Sequence, residues 1–481
     1  MKRLSSLLAA LIFICLTALP VVGDKFGKPK SVTKPVEVST KVPTKALAKA
    51  EPAIKSQRPR IVVKTSTAKK PSAAKSSVTA AKKPTVKKAS INRAPVENVA
   101  PKSFNGSAME QYLYRLQADG RNPGLHGVYV ERWDSGQPVA RLNENAVFNP
   151  ASVVKLATTL AALDRLGPNH RFRTEFRAAG WINQQTGELV GDLIIVSGRD
   201  PSFSIRDAQS VGDALRRLGV RKVTGSLVVI GDFVCNENSR TDVSAGVFRR
   251  QAQISFQGQP RFAAKAAELD RAPLLITVES DSLLKIARYL NAHSSNAMAD
   301  LLATHVGGPA GVRSFLVARL GLPFEATYIS HGSGLDVNRL TPRDTVKVLR
   351  ALIERLNGYR ARPEALLPIA GIDSGTLAGR FTESEFAGSV LAKTGTLHDT
   401  DDGVAALAGV MNTRSCGALL FTVYDMAEGR RVLQLRRVQD DLLKGLMNEC
   451  GGAMPMAHRT EDETAFRTQS RLLINQYRDR Q

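Results

Sequence analysis

Asn149-Pro150-Ala151-Ser152-Val153-Val154-Lys155 places a serine at the start of an apolar helix, with a lysine three residues on. Positions i and i+3 share a helical face, so Lys155 can reach Ser152. The helix N-terminus adds unpaired N–H groups and a positive dipole end, both suited to a developing oxyanion. This is the chemistry of a serine nucleophile activated by a lysine base. Ser-x-x-Lys alone decides little, because five copies begin at Ser31, Ser66, Ser72, Ser152 and Ser282. The first three fall in low-complexity sequence where no pocket can form. Ser282 with Lys285 also opens a helix and is the rival.

Two further groups break the tie. Lys393-Thr394-Gly395-Thr396 occurs once, in a stretch that reads as a strand. Its lysine supplies positive charge for a substrate carboxylate, and the Thr394 and Thr396 hydroxyls can hydrogen-bond it. Gly395 lets a substrate backbone lie against the strand edge. Between the two lies Ser294-Ser295-Asn296 at a helix start, with a hydroxyl for proton relay and an amide for a substrate carbonyl. Ser152 precedes Ser294 by 142 residues, room for separate elements, whereas Ser282 precedes it by only 12. Other chemistries lack support. The seven histidines form no HExxH or HxH and find no cysteine at ligand spacing, so no metal is expected. Neither GxxxxGK[ST] nor GxGxxG occurs, so no nucleotide cofactor is expected either.

The elements that must position these residues follow from periodicity. Helices are expected at 108–119, 152–165, 282–290, 294–305, 311–320, 342–356 and 430–447. Strands are expected at 126–133 with a hairpin return toward Leu142, and at 172–183, 189–197, 223–230, 404–410 and 418–424. The stretch 231–262 reads as irregular and polar. Helices between two groups of strands indicate a mixed α+β fold.

Ser-x-x-Lys, Ser-x-Asn and Lys-Thr-Gly in this order resemble the penicillin-recognising serine enzymes. More specifically, the chain resembles the class C low-molecular-mass penicillin-binding proteins, serine D-alanyl-D-alanine carboxypeptidase/endopeptidases. Gly191-Asp192-Leu193, Gly198-Arg199-Asp200-Pro201, Gly332-Ser333-Gly334-Leu335 and Pro368-Ile369-Ala370-Gly371 with Gly375-Thr376-Leu377 add to the resemblance. It implies a β-lactamase-like transpeptidase fold, an antiparallel sheet flanked by helices. The catalytic domain would span 103–168 and 276–451, with one reduced β-rich insert domain at 169–275 and a tail, 452–481, that could add a helix. It also implies Ser152 as nucleophile, Lys155 as base, Ser294 and Lys393 as proton relay and Asn296 as peptide guide. Thr394, Gly395 and Thr396 would line the substrate strand, and the N–H groups of Ser152 and Thr396 would form the oxyanion hole. Peptidoglycan stem peptides would be substrates and β-lactams inhibitors. The middle motif carries Ser295 where the family has aspartate, a change expected to be tolerated because that side chain points away from the site.

The net charge of +23 is unevenly placed. Residues 25–102 hold 20 Lys/Arg against 3 Asp/Glu, and Leu, Ile, Val and Phe make up only 15 of these 78 positions. Such a segment cannot offset its ordering entropy, so 24–102 reads as a disordered basic linker reaching about 50 Å. It serves either as a solvated spacer or as an arm for an anionic envelope surface. The rest is near balance, which removes the case for nucleic-acid binding. Lys2 and Arg3 precede an uncharged run from Leu4 to Val22, with Val21 and Gly23 placed for cleavage. Residues 1–23 therefore read as an export signal to the periplasm or cell envelope, or else as an uncleaved anchor. Of Cys235, Cys416 and Cys450, one pair could bridge, Cys416 with Cys450 being the favoured one; three buried thiols is the other reading. Two functions compete with the peptidase: a non-catalytic wall-binding scaffold and a serine β-lactamase.

Overall fold

In the computed structural model the described residues are 105–265, 269–427, 432–456 and 469–475. The chain divides into two units, Met1–Ala94 and Pro95–Gln481, and all described residues belong to the second. The expected export signal and basic linker lie outside them.

Ser107 starts α1 (Ala108–Ala118) with a capping box: its hydroxyl accepts from the Glu110 N–H, and the Glu110 carboxylate accepts from the Ser107 N–H. The expected hairpin follows as β1 (His126–Arg132) and β2 (Pro138–Leu142). The apolar run behind Ser152 becomes α2 (Val154–Leu166), buried on nearly every side as a central helix must be, and Gly167 ends it at φ 80°. An excursion then carries β3 (Arg173–Asn183), β4 (Glu188–Val196), α3 (Ile205–Arg217), β5 (Lys222–Val223), β6 (Leu227–Ile230), α4 (Thr241–Ala252), β7 (Ser255–Phe256), β8 (Arg261–Ala263) and β9 (Leu274–Glu279). The chain returns through α5 (Leu283–His293), α6 (Asn296–Thr304), α7 (Gly308–Leu320) and α8 (Pro342–Gly358). It closes with β10 (Val390–Leu397), β11 (Val404–Thr413), β12 (Gly417–Met426), α9 (Val432–Glu449) and β13 (Arg471–Ile474).

The first sheet is antiparallel in the order β10-β11-β12-β1-β2. β11 shows why its sequence is a continuous apolar run. Ala406, Ala408 and Val410 face the core shared with α2 and α8, while Leu407 and Met411 face the core shared with α1 and α9. β10, which carries Lys393, is an edge strand. Cys416, in the turn before β12, is disulfide-bonded to Cys450 just beyond α9, and Cys235 is free and buried.

The excursion forms a second sheet in the order β13-β9-β3-β4-β5-β7, with β6 pairing β4 and β8. Phe176, Phe203, Phe233 and Phe248 centre its own core. Three expectations need correction here, and the tail adds an element that the sequence reading did not place. The insert is not simply β-rich, since α3 and α4 pack together in it. Residues 231–262 are not irregular, because Ala245, Phe248 and Ala252 give α4 a buried face. The boundary at 275 cuts β9, whose hydrogen bonds to β3 carry the insert sheet to Glu279. Among its described residues the tail supplies a strand: β13 pairs antiparallel with β9, and the Gln469 N–H donates to Asp281 Oδ2. The two ends of the excursion are clasped. The Phe172 N–H donates to Ser280 Oγ and the Ser280 N–H donates to the Phe172 carbonyl, both at 2.9 Å.

Candidate active site

Ser152 sits in a tight turn, Ala151–Val153, that leads into α2. Ala151 adopts φ 47°, a left-handed conformation that a residue with a Cβ holds only under external support. Asn149 provides it. Its Oδ1 accepts from the Ala151 N–H at 3.0 Å, and its Nδ2 donates to Asp401 Oδ2 at 2.7 Å. Arg339 in turn holds Asp401 with two bonds of 2.9 and 3.0 Å. Two glycines let the surroundings close on this turn. A Cβ on Gly334, itself at φ 81°, would lie 2.0 Å from the Ala151 carbonyl oxygen, and one on Gly395 would lie 2.8 Å from that of Pro150. The close approach at Gly395 is thus to the protein's own nucleophile turn.

One helical turn on, Lys155 reaches back as the spacing requires. Its Nζ lies 2.9 Å from Ser152 Oγ, 2.8 Å from Asn296 Oδ1 and 2.6 Å from the Ser333 carbonyl oxygen. Burial lowers its pKa to about 7, against a smaller opposing pull from Asp300. A neutral amine has two N–H bonds and one lone pair. With Asn296 and Ser333 as the two acceptors, the lone pair is left facing the Ser152 hydroxyl.

Ser294 occupies the link between α5 and α6 at φ 59°, also left-handed. Ser295 caps α6, its hydroxyl accepting from the Met298 N–H at 3.3 Å. Serine and aspartate are near-equivalent at such a cap, which is a physical reason for the altered middle motif. Lys393 is fully buried, and its Nζ donates to Ser294 Oγ at 2.9 Å and to the Thr394 carbonyl at 2.6 Å. Burial and the neighbouring Lys155 push its pKa well below the usual lysine range. Thr394 Oγ1 donates to Thr376 Oγ1 at 2.7 Å, and the Thr376 N–H donates to the Ala292 carbonyl at 2.9 Å, tying β10 to the end of α5. Thr396 Oγ1 donates to the Gly395 carbonyl and accepts from Arg436 Nη2, both at 2.7 Å.

Every residue singled out in the three motifs therefore lies in one neighbourhood. The rival serine does not compete: Lys285 is exposed and lies 3.6 Å from Asp281. Sequence reasoning missed four contributors. Asp300 lies one turn beyond Asn296 on α6 and accepts from the Ser333 N–H at 2.8 Å, a spacing that offered a signal. Ser333 and Thr376 fall in stretches already noted for their resemblance, though with no role attached. Arg436, on a helix 40 residues past Thr396, gave no signal. Among the described residues no group of His, Cys, Asp and Glu could hold a metal, and no helix is long and apolar enough to cross a membrane.

An edge strand bearing a lysine closes on two serines held at helix starts, and together with its family match and relatives this places the chain among the class C low-molecular-mass penicillin-binding proteins. Within that class, the chain belongs to the D-Ala-D-Ala carboxypeptidase 3 (S13) family, which it matches over residues 110–243 and 250–444. It is 26% identical to carboxypeptidase DacB of Mycolicibacterium smegmatis over 379 residues, 67% of this chain and 78% of that protein. It is 27% identical to carboxypeptidase Rv3627c of Mycobacterium tuberculosis over 349 residues, 60% of this chain and 73% of that protein. Two solved structures share the fold. The predatory peptidoglycan endopeptidase Bd3459 of Bdellovibrio bacteriovorus matches with TM-score 0.59 and 20% identity, covering 69% of this chain and 94% of that one. Penicillin binding protein 4 of Haemophilus influenzae, complexed with a β-lactam, matches with TM-score 0.57 and 22% identity, covering 70% of this chain and 99% of that one.

Proposed function

We propose that the protein is an exported D-alanyl-D-alanine carboxypeptidase/endopeptidase that cleaves peptidoglycan stem peptides and cross-links through an acyl-enzyme on Ser152. The observation that carries this reading is the Lys155 amine, buried to a pKa of about 7 and 2.9 Å from Ser152 Oγ. A base near neutrality accepts a proton readily at working pH and returns it readily. Neutral Lys155 takes the Ser152 proton as Oγ bonds to the carbonyl carbon of the penultimate D-Ala. The oxyanion so formed is held by the N–H groups of Ser152 and Thr396. Ser294 gives its proton to the departing amide nitrogen and recovers one from the paired lysines, and the C–N bond breaks. Asn296 orients the peptide, and Thr394, Gly395 and Thr396 line the strand beside it. Water, losing its proton to Lys155, then frees the acyl group and restores Ser152. No cofactor enters these steps. Residues 1–23 would direct export to the periplasm or cell envelope.

Labelling with a fluorescent penicillin tests the reading. The wild-type protein and Ser282→Ala should be labelled covalently and Ser152→Ala should not. Labelling that survives Ser152→Ala would refute the assignment of the nucleophile. An unlabelled wild type would favour the wall-binding scaffold, and rapid turnover of a chromogenic cephalosporin would favour the β-lactamase.

A further inference from the structure

Apart from the short β5 and β7, the middle of the insert runs β4-α3-β6-α4-β8, with β4, β6 and β8 parallel and the two helices packed together. In such a unit the carboxyl ends of the parallel strands, where the chain leaves for each helix, form the natural ligand crevice. Here those ends open on a crevice of about 1010 Å³, whose lining includes Ser197, Arg199, Asp232, Arg240, Asp242 and Phe262. That is the upper end of the size that holds a small organic ligand, with room for more than one sugar ring. The two connections that line it also touch the catalytic helices. The Arg199 carbonyl accepts from His305 Nε2, just past α6, and Glu237 Oε1 accepts from the Tyr289 hydroxyl on α5, both at 3.1 Å. The crevice thus belongs to the end of the insert that meets α5 and α6, the helices flanking Ser294.

Its chemistry is neutral but rich in hydrogen-bonding groups. Among the described residues its charged side chains are two arginines and two aspartates, and they pair. Arg199 Nε lies 3.4 Å from Asp232 Oδ2, and Arg240 donates to the two carboxylate oxygens of Asp242 at 3.1 and 2.5 Å. The charges cancel, so the crevice favours neither an anion nor a cation. Each pair stands close to half exposed or more and keeps N–H groups and carboxylate lone pairs to spare. Phe262 on β8 adds an aromatic ring that is 49% exposed. A sugar chain uses both features. Its hydroxyl and acetamido groups take hydrogen bonds, and the C–H face of a ring packs on an aromatic side chain.

We infer that this crevice binds the uncharged amino-sugar strand of peptidoglycan, with Phe262 against a ring face and the two Arg–Asp pairs on its polar groups. The choice of occupant rests on the peptidase reading above, which makes a polymer with a sugar backbone the substrate. The insert is then an anchoring module. It holds the polymer at α5 and α6 through a contact that takes no part in the chemistry, and so raises the local concentration of stem peptides.

Calorimetric titration of the full-length protein with chitotetraose, an uncharged N-acetylglucosamine chain without peptide, tests this. The protein is titrated both free and after acylation by benzylpenicillin, which closes the peptidase site. Wild type should bind the sugar equally in the two states. Phe262→Ala should weaken binding about 3- to 10-fold, the worth of one aromatic contact, while Phe262→Tyr should keep it. Arg240→Ala, which removes a hydrogen-bond donor, should lose a similar factor. All three variants should take fluorescent penicillin at the wild-type rate, which also shows that they are folded. No binding by wild type, binding abolished by acylation, or unchanged affinity in both alanine variants would overturn the inference. A wild type that takes no penicillin would instead refute the peptidase reading, and the titration of free protein would still decide whether the crevice holds a sugar chain.

Discussion

Lys155 is useful because its surroundings disfavour its charge, and Asp300 limits that effect by favouring it. Only the neutral amine can take the Ser152 proton, so acylation should weaken as pH falls through about 7 and strengthen above it. Asp300→Asn removes the opposing charge yet keeps an acceptor for the Ser333 N–H. The acid limb of the acylation profile should therefore move to lower pH, by about half a unit to one unit. Benzylpenicillin acylation rates across pH 5–9 provide the measurement, and an upward movement would contradict the ordering of these effects. At this scale the sequence was most legible where spacing is short. Ser152 and Lys155 share one helical face, and Ser294 and Asn296 flank one helix start. Ser333 acts on Lys155, and Arg436 on Thr396, from distant segments, and no local periodicity reports such contacts; Asp300, one turn beyond Asn296, was within reach of the same spacing argument.

Among the elements, the nucleophile turn depends on what packs over it. Gly334→Ala adds a Cβ 2.0 Å from the Ala151 carbonyl at a residue with φ 81°. The variant should lose about 2–4 kcal/mol of stability and most penicillin acylation. Gly358→Ala is the control, because a Cβ there meets nothing within 4 Å. Equal melting of the two variants would remove the packing argument. The catalytic sheet and its helices could be read from sequence because β11 from Val404 to Met411 and most of α2 are apolar. α3 and α4 did carry a signal that the sequence reading passed over, since Ala208, Val211 and Leu215 line one face of α3 and Ala245, Phe248 and Ala252 one face of α4. Only their close approach was silent: a Cβ on Gly212 would lie 1.9 Å from the Ala252 carbonyl oxygen. The tail strand escaped because four residues, Arg471–Ile474, are too few for a period to show, and β9 rather than local preference makes them a strand.

For the whole molecule, the Cys416–Cys450 bond closes 34 residues and should contribute about 3–4 kcal/mol. Replacing both cysteines by serine should lower the melting temperature while penicillin labelling at 25 °C persists; unchanged melting would make the bridge energetically idle. The basic stretch 25–102 allows a separate test. A variant beginning at Ser103 should hydrolyse a soluble D-Ala-D-Ala peptide normally yet bind isolated cell wall or anionic vesicles less well. That difference should shrink toward about 0.5 M salt, as the Debye length falls below its value of about 10 Å at 0.1 M. Equal binding at low salt would leave the stretch a spacer only. The clasp between Phe172 and Ser280 matters for how such a chain can change over time. The two residues are 108 positions apart yet joined by hydrogen bonds, so the excursion leaves and re-enters the catalytic domain side by side; beyond this clasp it also touches the catalytic helices, through Glu237 with Tyr289 and the Arg199 carbonyl with His305. Doubling the length of a closed loop costs only about 0.6 kcal/mol. Lineages can therefore enlarge, trim or exchange the insert while Ser152 on one side of the clasp and Ser294 on the other stay where they are.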